Sequence, residues 1–496
     1  MQEKADKIVG RKGEQQILHR TLMSSKAEFI AIYGRRRVGK TYLTKTFFRQ
    51  QECVFFHVTG SNGDRLLTQI QRFITEIGNV FYGGVGLKSC KNWEETFELL
   101  TKSLELIPKD KKIVLFFDEL PWMVTRRSRL IQTLDYYWNR HWVDNKRLKL
   151  VICGSSASWI IKNIVNNKGG LHNRITQLIE LKPFDLHGTK EFLNYIGVKL
   201  GNKQILHLYM AIGGVPHYLN QVKQGLSAVQ NIDQLCFRKD GLLFKEFNNL
   251  FSSLFNESGI YIELIRTIAK HRYGISQVEL LRQCVATTAR GGRMVGRLRD
   301  LEDAGFIVSF IPYGHKQKGM CYRIFDEYTL FYLSWIEPSA KTIQKLELLE
   351  NYWESKTDSS SWKAWSGYAF EAVCYKHIAN IRKALKVNAG AEVGNWRFIP
   401  KKAQSENGTQ IDMLFDRKDD AMTICEIKYS KEPFAIDKQY AANLLNKVDT
   451  YKKHTGINKQ IFIAMISASG LKPTMYSEEI VSNVVTLDDL FKEQNG

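Results

Sequence analysis

The stretch of sequence that decides the fold runs from residue 29 to residue 41 and reads FIAIYGRRRVGKT. Its first part, Phe29–Tyr33, is an apolar run that predicts a buried strand. The rest, Gly34–Thr41, matches the pattern G-x-x-x-x-G-K-T, in which glycines let the backbone wrap around phosphate oxygens. Backbone N–H groups and the start of the following helix then face the anion. This succession of strand, loop and helix predicts a parallel α/β sheet with a nucleotide site.

The same loop supplies the predicted ligands of the nucleotide. Lys40 is expected to reach the β- and γ-phosphates, and the hydroxyl of Thr41 is expected to bind Mg²⁺. The predicted nucleotide-binding residues of this stretch are Gly34, Arg35, Arg36, Arg37, Val38, Gly39, Lys40, Thr41 and Tyr42. ATP and Mg²⁺ are therefore the expected cofactors.

Three further apolar runs, 54–58, 113–117 and 148–153, alternate with helical patterns, which is typical of parallel sheets covered on both faces. Asp118 and Glu119 directly follow the run 113–117, at the edge where such sheets bind ligands. We expect Asp118 to hold Mg²⁺ and Glu119 to orient and deprotonate the attacking water.

Two polar positions have two interpretations each. Ser155, or its neighbour Ser156, follows the run 148–153 and either senses the γ-phosphate or forms a simple turn. Arg174 is either an arginine finger, acting in cis or toward a neighbouring subunit, or a surface arginine. The sequence does not decide between these interpretations.

The composition is that of a globular chain with a strong positive charge. The 496 residues suggest about three domains, and the formal net charge of +20 suits a polyanionic partner such as nucleic acid. The eight cysteines are scattered without a C-x-x-C pair, which excludes the common zinc and redox motifs and indicates reduced core residues. The polar start and the lack of a long apolar run argue against a signal peptide and a membrane span, so we expect a cytoplasmic protein.

The pattern changes along the chain and predicts four parts. A P-loop ATPase core is expected at 1–188, a helical lid subdomain at 189–256, a winged helix-turn-helix at 257–337 and a second, smaller α/β domain at 338–496. The winged helix is predicted from three helices followed by two short strands.

The predicted winged helix has a basic face. Its third helix, at 293–303, carries Arg293, Arg297 and Arg299, and would contact DNA bases or phosphates. The wing tip carries His315, Lys316 and Lys318, which would reach the adjacent backbone. The alternative is a protein-interaction module or a structural part of a P-loop protein.

The last part carries acidic and basic residues on neighbouring predicted elements. Glu371 lies on a predicted helix, Asp412 at a predicted hairpin, and Glu426 and Lys428 on one face of the next strand. This arrangement resembles that of the PD-(D/E)xK nucleases. The carboxylates would bind Mg²⁺ to activate water, and Lys428 would position the nucleophile or stabilise the developing charge. Lys447, on the next helix, would contact the DNA backbone. The alternatives are solvated carboxylates beside a surface lysine, and a domain that binds DNA without cutting it.

These motifs resemble those of the archaeal-type ATPases, which belong to the AAA+/STAND group of P-loop proteins. The resemblance lies in the stretches Val9–Arg11, Gly34–Thr41, Asp118–Trp122, Gly154–Ser156 and Gly213–Pro216. It implies that Val9–Arg11, and so Gly10 and Arg11, lie near the adenine, that Arg174 contacts phosphate, and that the last domain is restriction-endonuclease-like. The family usually has glycine before that arginine, whereas this chain has Asn173, a departure that bears on the arginine-finger role.

The sequence thus predicts a DNA-associated protein that binds and hydrolyses ATP and carries a Mg²⁺-dependent nuclease domain. One alternative is a slow ATP-dependent switch whose winged helix and inactive nuclease-like domain only bind DNA or protein partners. Another is a non-catalytic DNA-binding protein in which ATP sets the oligomeric state. No membrane partner is expected, and a homo-oligomer and unidentified protein partners remain open.

Overall fold

The computed structural model describes residues 7–165, 171, 173–284, 292–314, 319–345, 351–400 and 408–494. The chain divides into two compact units, Met1–Pro183 and Phe184–Gly496. Within the described ranges, no helix combines the length and the apolar character that crossing a bilayer requires.

The first unit is built on five parallel strands. These are β1 (Glu28–Tyr33), β2 (Cys53–Thr59), β3 (Lys112–Asp118), β4 (Leu148–Gly154) and β5 (Gln177–Glu180), and they form one sheet in the order β2-β3-β4-β1-β5. The helices are α1 (Lys12–Met23), α2 (Lys40–Arg49), α3 (Leu66–Phe81), α4 (Trp93–Glu105), α5 (Leu120–Met123), α6 (Leu130–Tyr137) and α7 (Ala157–Ile160). Because the strands are parallel, their carboxyl ends meet at one edge of the sheet, where the loop after β1 and the carboxylates at the end of β3 come together.

Apolar side chains cover both faces of this sheet. Phe29 and Phe117 pack with the helices on one face, whereas Ile30 and Ile32 pack with α2 on the other. The four strands predicted from apolar runs are therefore confirmed. Strand β5 was not predicted, because Ile179 is its one buried residue and the neighbouring positions are polar or exposed.

The second unit begins with five helices. They are α8 (Leu186–Tyr195), α9 (Asn202–Ile212), α10 (Pro216–Leu219), α11 (Ala228–Cys236) and α12 (Glu246–Leu254). The Gly-Gly-Val-Pro stretch joins α9 to α10. A Cβ on Gly214 would lie 1.8 Å from the carbonyl oxygen of Phe184, and the Phe184 N–H donates to the Gly214 carbonyl at 2.7 Å. This stretch therefore packs backbone against backbone, which only glycine allows.

Three helices and a hairpin follow, in the predicted order. They are α13 (Ser258–Ala269), β6 (Ile275–Ser276), α14 (Gln277–Gln283), α15 (Gly292–Asp303), β7 (Ile307–Phe310) and β8 (Cys321–Ile324), and the three strands pair in the order β6-β8-β7. The predicted wing-tip residues His315, Lys316 and Lys318 lie outside the described residues.

A second five-stranded sheet ends the chain. Its elements and those that lead to it are α16 (Glu327–Phe331), α17 (Glu337–Lys345), α18 (Ser360–Lys376), α19 (Ile378–Ala384), β9 (Glu392–Phe398), β10 (Thr409–Asp416), β11 (Ala421–Lys428), β12 (Phe434–Ala435), α20 (Lys438–Thr455), β13 (Gln460–Ser467), β14 (Leu471–Lys472), α21 (Met475–Ile480), β15 (Val481–Thr486) and α22 (Leu487–Leu490). The order is β15-β13-β11-β10-β9, with β9, β10 and β11 antiparallel and β11, β13 and β15 parallel. The predicted fold class, a P-loop parallel sheet followed by helices and by a second, smaller α/β sheet, is confirmed.

Candidate functional site

The loop between β1 and α2 depends on a close backbone approach. Gly34 has φ of 140°, and a Cβ on it would lie 2.2 Å from the carbonyl oxygen of Leu181. The Leu181 N–H in turn donates to the carbonyl of Tyr33 at 2.8 Å. Arg37 also has a positive φ, of 72°. The loop therefore has backbone conformations that few sequences adopt. Such conformations let successive backbone N–H groups point toward one bound anion.

Lys40 extends back into this loop. Its Nζ donates to the carbonyl oxygens of Gly34 at 2.9 Å and Arg35 at 3.0 Å. Burial lowers the pKa of this ammonium group. Burial deprives the ammonium group of hydration, so its charged form needs an anionic partner. A phosphate bound in the loop would be that partner.

Asp118 meets Thr41 at the carboxyl edge of the sheet. The Thr41 hydroxyl donates to Oδ2 at 2.9 Å, and the Cys153 thiol donates to Oδ1 at 2.7 Å. The His57 Nε2 lies 3.7 Å from Oδ2. Burial opposes the charged form of Asp118, but these three neighbours together hold the pKa of the carboxyl below its ordinary value. An anionic carboxylate beside a threonine hydroxyl has the oxygen ligands that suit Mg²⁺.

Glu119 is held by the strand that lies between β3 and β1. Both the N–H and the hydroxyl of Ser155, at the end of β4, donate to its Oε2 at 3.0 Å. Glu119 itself has φ of 48°, an uncommon backbone conformation for a residue with a side chain. The strand order β3-β4-β1 thus brings Ser155 to the carboxylate that was predicted to orient water.

The other predicted residues of the loop differ in their surroundings. Arg35 and Val38 are buried, and the Arg36 guanidinium carbon lies 5.8 Å from the ring centroid of Trp122. Tyr42 is 46% exposed, and its hydroxyl donates to the carbonyl of Lys7 at 3.2 Å. Val38 therefore packs in the core, whereas Tyr42 lies on the solvent side of α2.

Gly10 and Arg11 lie just ahead of α1. The Arg11 guanidinium donates to the carbonyl of Lys182 at 2.7 Å and to Glu14 at 3.3 Å. The Gly10 carbonyl accepts from Gln15 at 2.7 Å. Lys182 directly follows Leu181, the residue whose carbonyl oxygen closely approaches Gly34. The Gly10–Arg11 stretch and the phosphate loop therefore both border the segment after β5.

Arg174 is exposed, and its side chain makes no hydrogen bond to any residue in the described ranges. Its backbone N–H donates to the carbonyl of Leu171 at 3.1 Å. Asn173 has φ of 60°, in the left-handed region that glycine and asparagine tolerate best. Asparagine therefore meets the backbone requirement of this position.

The C-terminal acidic residues gather at the second sheet. The register between β9 and β10 shifts between Ile411 and Leu414, so Asp412 lies at a bulge, a feature that redirects a side chain. Its Oδ2 accepts from the N–H of Ile427, the residue between Glu426 and Lys428.

Glu426 has three donors of its own. Tyr440 Oη and Lys447 Nζ each lie 2.6 Å from its carboxylate oxygens, and Lys428 Nζ lies at 3.1 Å. Burial favours its neutral form, but the two lysines outweigh burial and hold the pKa of Glu426 below its ordinary value. Lys447, which the sequence assigned to the DNA backbone, is thus part of the acidic site itself.

At Glu371 and Asp412, by contrast, the nearby cations do not outweigh burial and repulsion. Burial and their mutual repulsion raise the pKa of Glu371 to about 7, and burial and Glu426 raise the pKa of Asp412 to about 6. Partly buried carboxylates that repel one another fit a divalent cation, because the cation removes the repulsion. In their present positions, however, no three acidic, histidine or cysteine side chains of the described chain form a metal-holding group.

The third helix of the 257–337 segment presents fewer arginines than predicted. Arg297 is 11% exposed in its side chain and forms an ion pair with Glu257 at 2.6 Å. Arg293 and Arg299 are exposed on α15. The surface that would meet DNA therefore contains two of the three expected arginines.

Sequence reasoning missed residues that come from neighbouring elements. In the first unit these are His57 and Cys153, which contact Asp118 from the flanking strands β2 and β4. In the second unit the missed residue is Tyr440, which is seven residues from Lys447 on α20 and so shares a face with it, a signal that was present in the sequence.

Comparisons with known proteins agree with the first of these sites. Residues 8–222 match a family described as an ATPase domain predominantly from Archaea, so the chain contains an archaeal-type ATPase domain. Over 461 residues, 91% of this chain and 95% of the relative, it is 24% identical to an uncharacterized protein of Methanocaldococcus jannaschii. Over 45 residues, 9% of this chain and 76% of the relative, it is 48% identical to an uncharacterized ATP-binding protein of that organism.

Two solved structures are similar at low identity. A Walker-type ATPase of Pyrococcus abyssi aligns with a TM-score of 0.46 and 18% identity, covering 66% of this chain and 96% of that protein. The ORC2 protein of Aeropyrum pernix aligns with a TM-score of 0.42 and 14% identity, covering 68% of this chain and 95% of that protein.

Proposed function

We propose that this protein binds ATP with Mg²⁺ and hydrolyses it at the loop between β1 and α2. One observation carries the proposal: Thr41 and Asp118 on one side, and Glu119 and Ser155 on the other, converge at the sheet edge beside the buried ammonium of Lys40. A turn that merely joined a strand to a helix would need neither the buried lysine nor the two carboxylates.

Each residue then has a distinct role. Lys40 and the backbone of Gly34–Thr41 hold the β- and γ-phosphates. Thr41 and Asp118 would hold Mg²⁺, which would neutralise charge on the phosphates. Glu119 orients the attacking water and takes its proton. Ser155 holds the Glu119 carboxylate and is positioned to respond when the γ-phosphate arrives or leaves.

The remaining residues of the proposed site act at its borders. Gly10 and Arg11 lie near the adenine, and Arg35, Arg36, Arg37, Val38, Gly39 and Tyr42 complete the phosphate loop and its helix. Arg174 is the proposed arginine finger, and its exposed position leaves it accessible to phosphate in cis or to a neighbouring subunit.

The test compares phosphate release and nucleotide binding in the same variants. Glu119→Gln should bind a fluorescent ATP analogue like the wild type yet lose hydrolysis by about a hundredfold or more, whereas Lys40→Ala should lose binding. Arg49→Ala, an exposed change at the end of α2, is the matched control. Hydrolysis by Glu119→Gln at the wild-type rate would overturn the proposed role of this carboxylate.

A second activity is supported by the acidic site of the second unit. We propose that the chain associates with DNA and that Asp412, Glu426 and Glu371 hold Mg²⁺ for phosphodiester hydrolysis, with Lys428 stabilising the developing charge. The supporting observation is geometric: Asp412 lies at a bulge, and its carboxylate accepts from the N–H of Ile427, the residue between Glu426 and Lys428. In this proposal the chain is organised as a P-loop core at 1–188, a lid at 189–256, a winged helix at 257–337 and a nuclease-like domain at 338–496.

Cleavage of labelled single-stranded, duplex and branched DNA with Mg²⁺ or Mn²⁺ tests this second activity. Asp412→Asn should abolish cleavage, whereas Asp419→Asn, an exposed change in the turn between β10 and β11, should not. DNA binding without any cleavage would instead favour the alternative of a slow ATP-dependent switch with an inactive nuclease-like domain.

A further inference from the structure

Two arginines of the 257–337 segment lie on aromatic rings of α18. The guanidinium carbon of Arg323, on β8, is 3.8 Å from the ring centroid of Tyr375. That of Arg272, just after α13, is 5.3 Å from the ring centroid of Tyr368. Two different elements of the three-helix segment thus bring a positive charge to the same helix of the nuclease-like domain.

The same face of α18 carries an acidic residue of the proposed nuclease site. Tyr368, Glu371 and Tyr375 are three and four residues apart in succession, so they share one helix face. The Tyr375 hydroxyl donates to the backbone carbonyl of Asp412 at 2.6 Å. The charges of Arg272 and Arg323 both favour the ionised form of Glu371, against burial and against Asp412. The two arginines therefore lie beside the carboxylates, not on a remote surface.

Other contacts fix the segment in this place. The N–H of Tyr313, after β7, donates to the carbonyl of Asn395 in the edge strand β9 at 2.9 Å, and its hydroxyl donates to Asp416 at 2.6 Å. The guanidinium carbon of Arg397, on β9, lies 4.7 Å from the ring centroid of Tyr273. The positions of Arg272 and Arg323 are therefore fixed by the packing of the 257–337 segment on the second sheet, and not only by the conformations of their own side chains.

The guanidinium groups keep donors for a ligand. Among the described residues, neither Arg272 nor Arg323 forms an ion pair with a carboxylate, and Arg323 shares a hydrogen bond with Tyr375. Each guanidinium has an aromatic neighbour on α18, and a guanidinium without a carboxylate partner keeps N–H groups whose fork matches two phosphate oxygens. Arginines that served only to neutralise Glu371 would be expected to pair with it directly.

We propose that Arg272 and Arg323 are phosphate-binding residues of the acidic site, so that one DNA phosphodiester is held jointly by the 257–337 segment and the second sheet. This inference rests on the proposed DNA association of that site. The carboxylates would hold the cation on one side of the phosphate, and the two arginines bind the phosphate oxygens from the other. Nucleic acid is the ligand class, because a phosphodiester suits both the arginine fork and an oxygen-ligated cation.

The test measures binding of a fluorescent DNA duplex by anisotropy, with Ca²⁺ present, over a series of salt concentrations. Arg272→Gln and Arg323→Gln should each weaken binding by about tenfold and reduce the slope of log K against log salt by about 1, the value expected for one lost phosphate contact. The control is Arg417→Gln, which removes the same charge from the end of β10, where Arg417 pairs with Asp419. It should leave both quantities unchanged.

Structural damage and failure of the nuclease proposal give different results. Arg323→Lys keeps the charge but loses the fork, so it should keep the salt slope while losing affinity. Weaker binding with an unchanged slope in both glutamine variants would mean that the arginines act through the fold, and would overturn the inference. DNA cleavage by the wild type with unchanged slopes in the variants would also overturn it while leaving the nuclease proposal intact. Altered slopes without any cleavage would support the inference and refute the nuclease.

Discussion

Removing the hydroxyl of Ser155 should slow ATP hydrolysis without weakening ATP binding. The N–H and the hydroxyl of Ser155 both donate to Oε2 of Glu119 at 3.0 Å. The backbone of Glu119 is fixed in a left-handed conformation with φ of 48°. The direction of its carboxylate is therefore set by these two hydrogen bonds, and Ser155→Ala removes one of them.

The size of the effect follows from the charge of the acceptor. A hydrogen bond to a charged group contributes about 1.5–3 kcal/mol, and the remaining N–H of residue 155 retains part of that. A loss of about 1–2 kcal/mol in the orientation of the carboxylate corresponds to a decrease of about 5–30-fold in kcat. ATP binding should stay constant, because the hydrogen bonds given for Lys40 and Thr41 run to the loop carbonyls and to Asp118.

The assay combines single-turnover hydrolysis with binding of a fluorescent ATP analogue. Ser156→Ala is the matched control, since the Ser156 side chain forms no cap hydrogen bond at the start of α7. In the Glu119→Gln background, Ser155→Ala should cause no further loss of rate, because the two residues act as one unit.

Two results would refute the reasoning. If Ser155→Ala weakened ATP binding and left kcat unchanged, the serine would act on the nucleotide and not through Glu119. If Ser156→Ala slowed hydrolysis equally, the effect would belong to the turn as a whole. Because Ser155 is buried, Ser155→Ala must also be shown to keep the fold. A thermal unfolding midpoint equal to that of the wild type shows this.

Three further predictions concern the backbone and the acidic site. Gly34→Ala should abolish ATP binding in calorimetry and lower the Tm, because the new Cβ would lie 2.2 Å from the Leu181 carbonyl oxygen, and retained binding would contradict the proposed loop geometry. Asn173→Gly should change the free energy of unfolding by less than about 1 kcal/mol, whereas Asn173→Val should lower it by about 1–2 kcal/mol, since φ of 60° disfavours a branched side chain; equal urea midpoints for the two variants would count against this. Burial and Asp412 raise the pKa of Glu371 to about 7 in the folded chain, above the ordinary value of 4.5. Between these two values the folded state holds a proton that the unfolded state has lost. The free energy of unfolding therefore falls as pH rises through that interval. Without divalent cations, Glu371→Gln should therefore gain Tm relative to the wild type as pH rises from about 5 to about 8, and a constant difference would be the contrary outcome.

Local sequence patterns were sufficient to predict most of the strands and site residues of the first unit. The strand 29–33 and the loop 34–41 are contiguous in the chain, and the buried strands of a parallel sheet are continuous apolar runs, so both could be identified without tertiary information. The same holds for Asp118 and Glu119, because their place after an apolar strand fixes the sheet edge on which they lie. Strands β5 and β15 were missed, since each has a single buried residue and so lacks an apolar run.

Only the tertiary structure decided what surrounds the charged groups. Apart from Thr41, the partners described for Asp118 and Glu119 come from β2, from β4 and from the residue directly after β4, so their identity depends on the order β2-β3-β4-β1. In the second unit, Lys447 pairs with Glu426, whereas the sequence analysis assigned it to the DNA backbone, and Arg323 reaches α18 from a hairpin about 50 residues earlier in the chain. The physical reason is that the pKa and the contacts of a buried group depend on residues that are distant in the chain. Strand order and the packing of segments bring those residues close, whereas the sequence shows only neighbours along the chain.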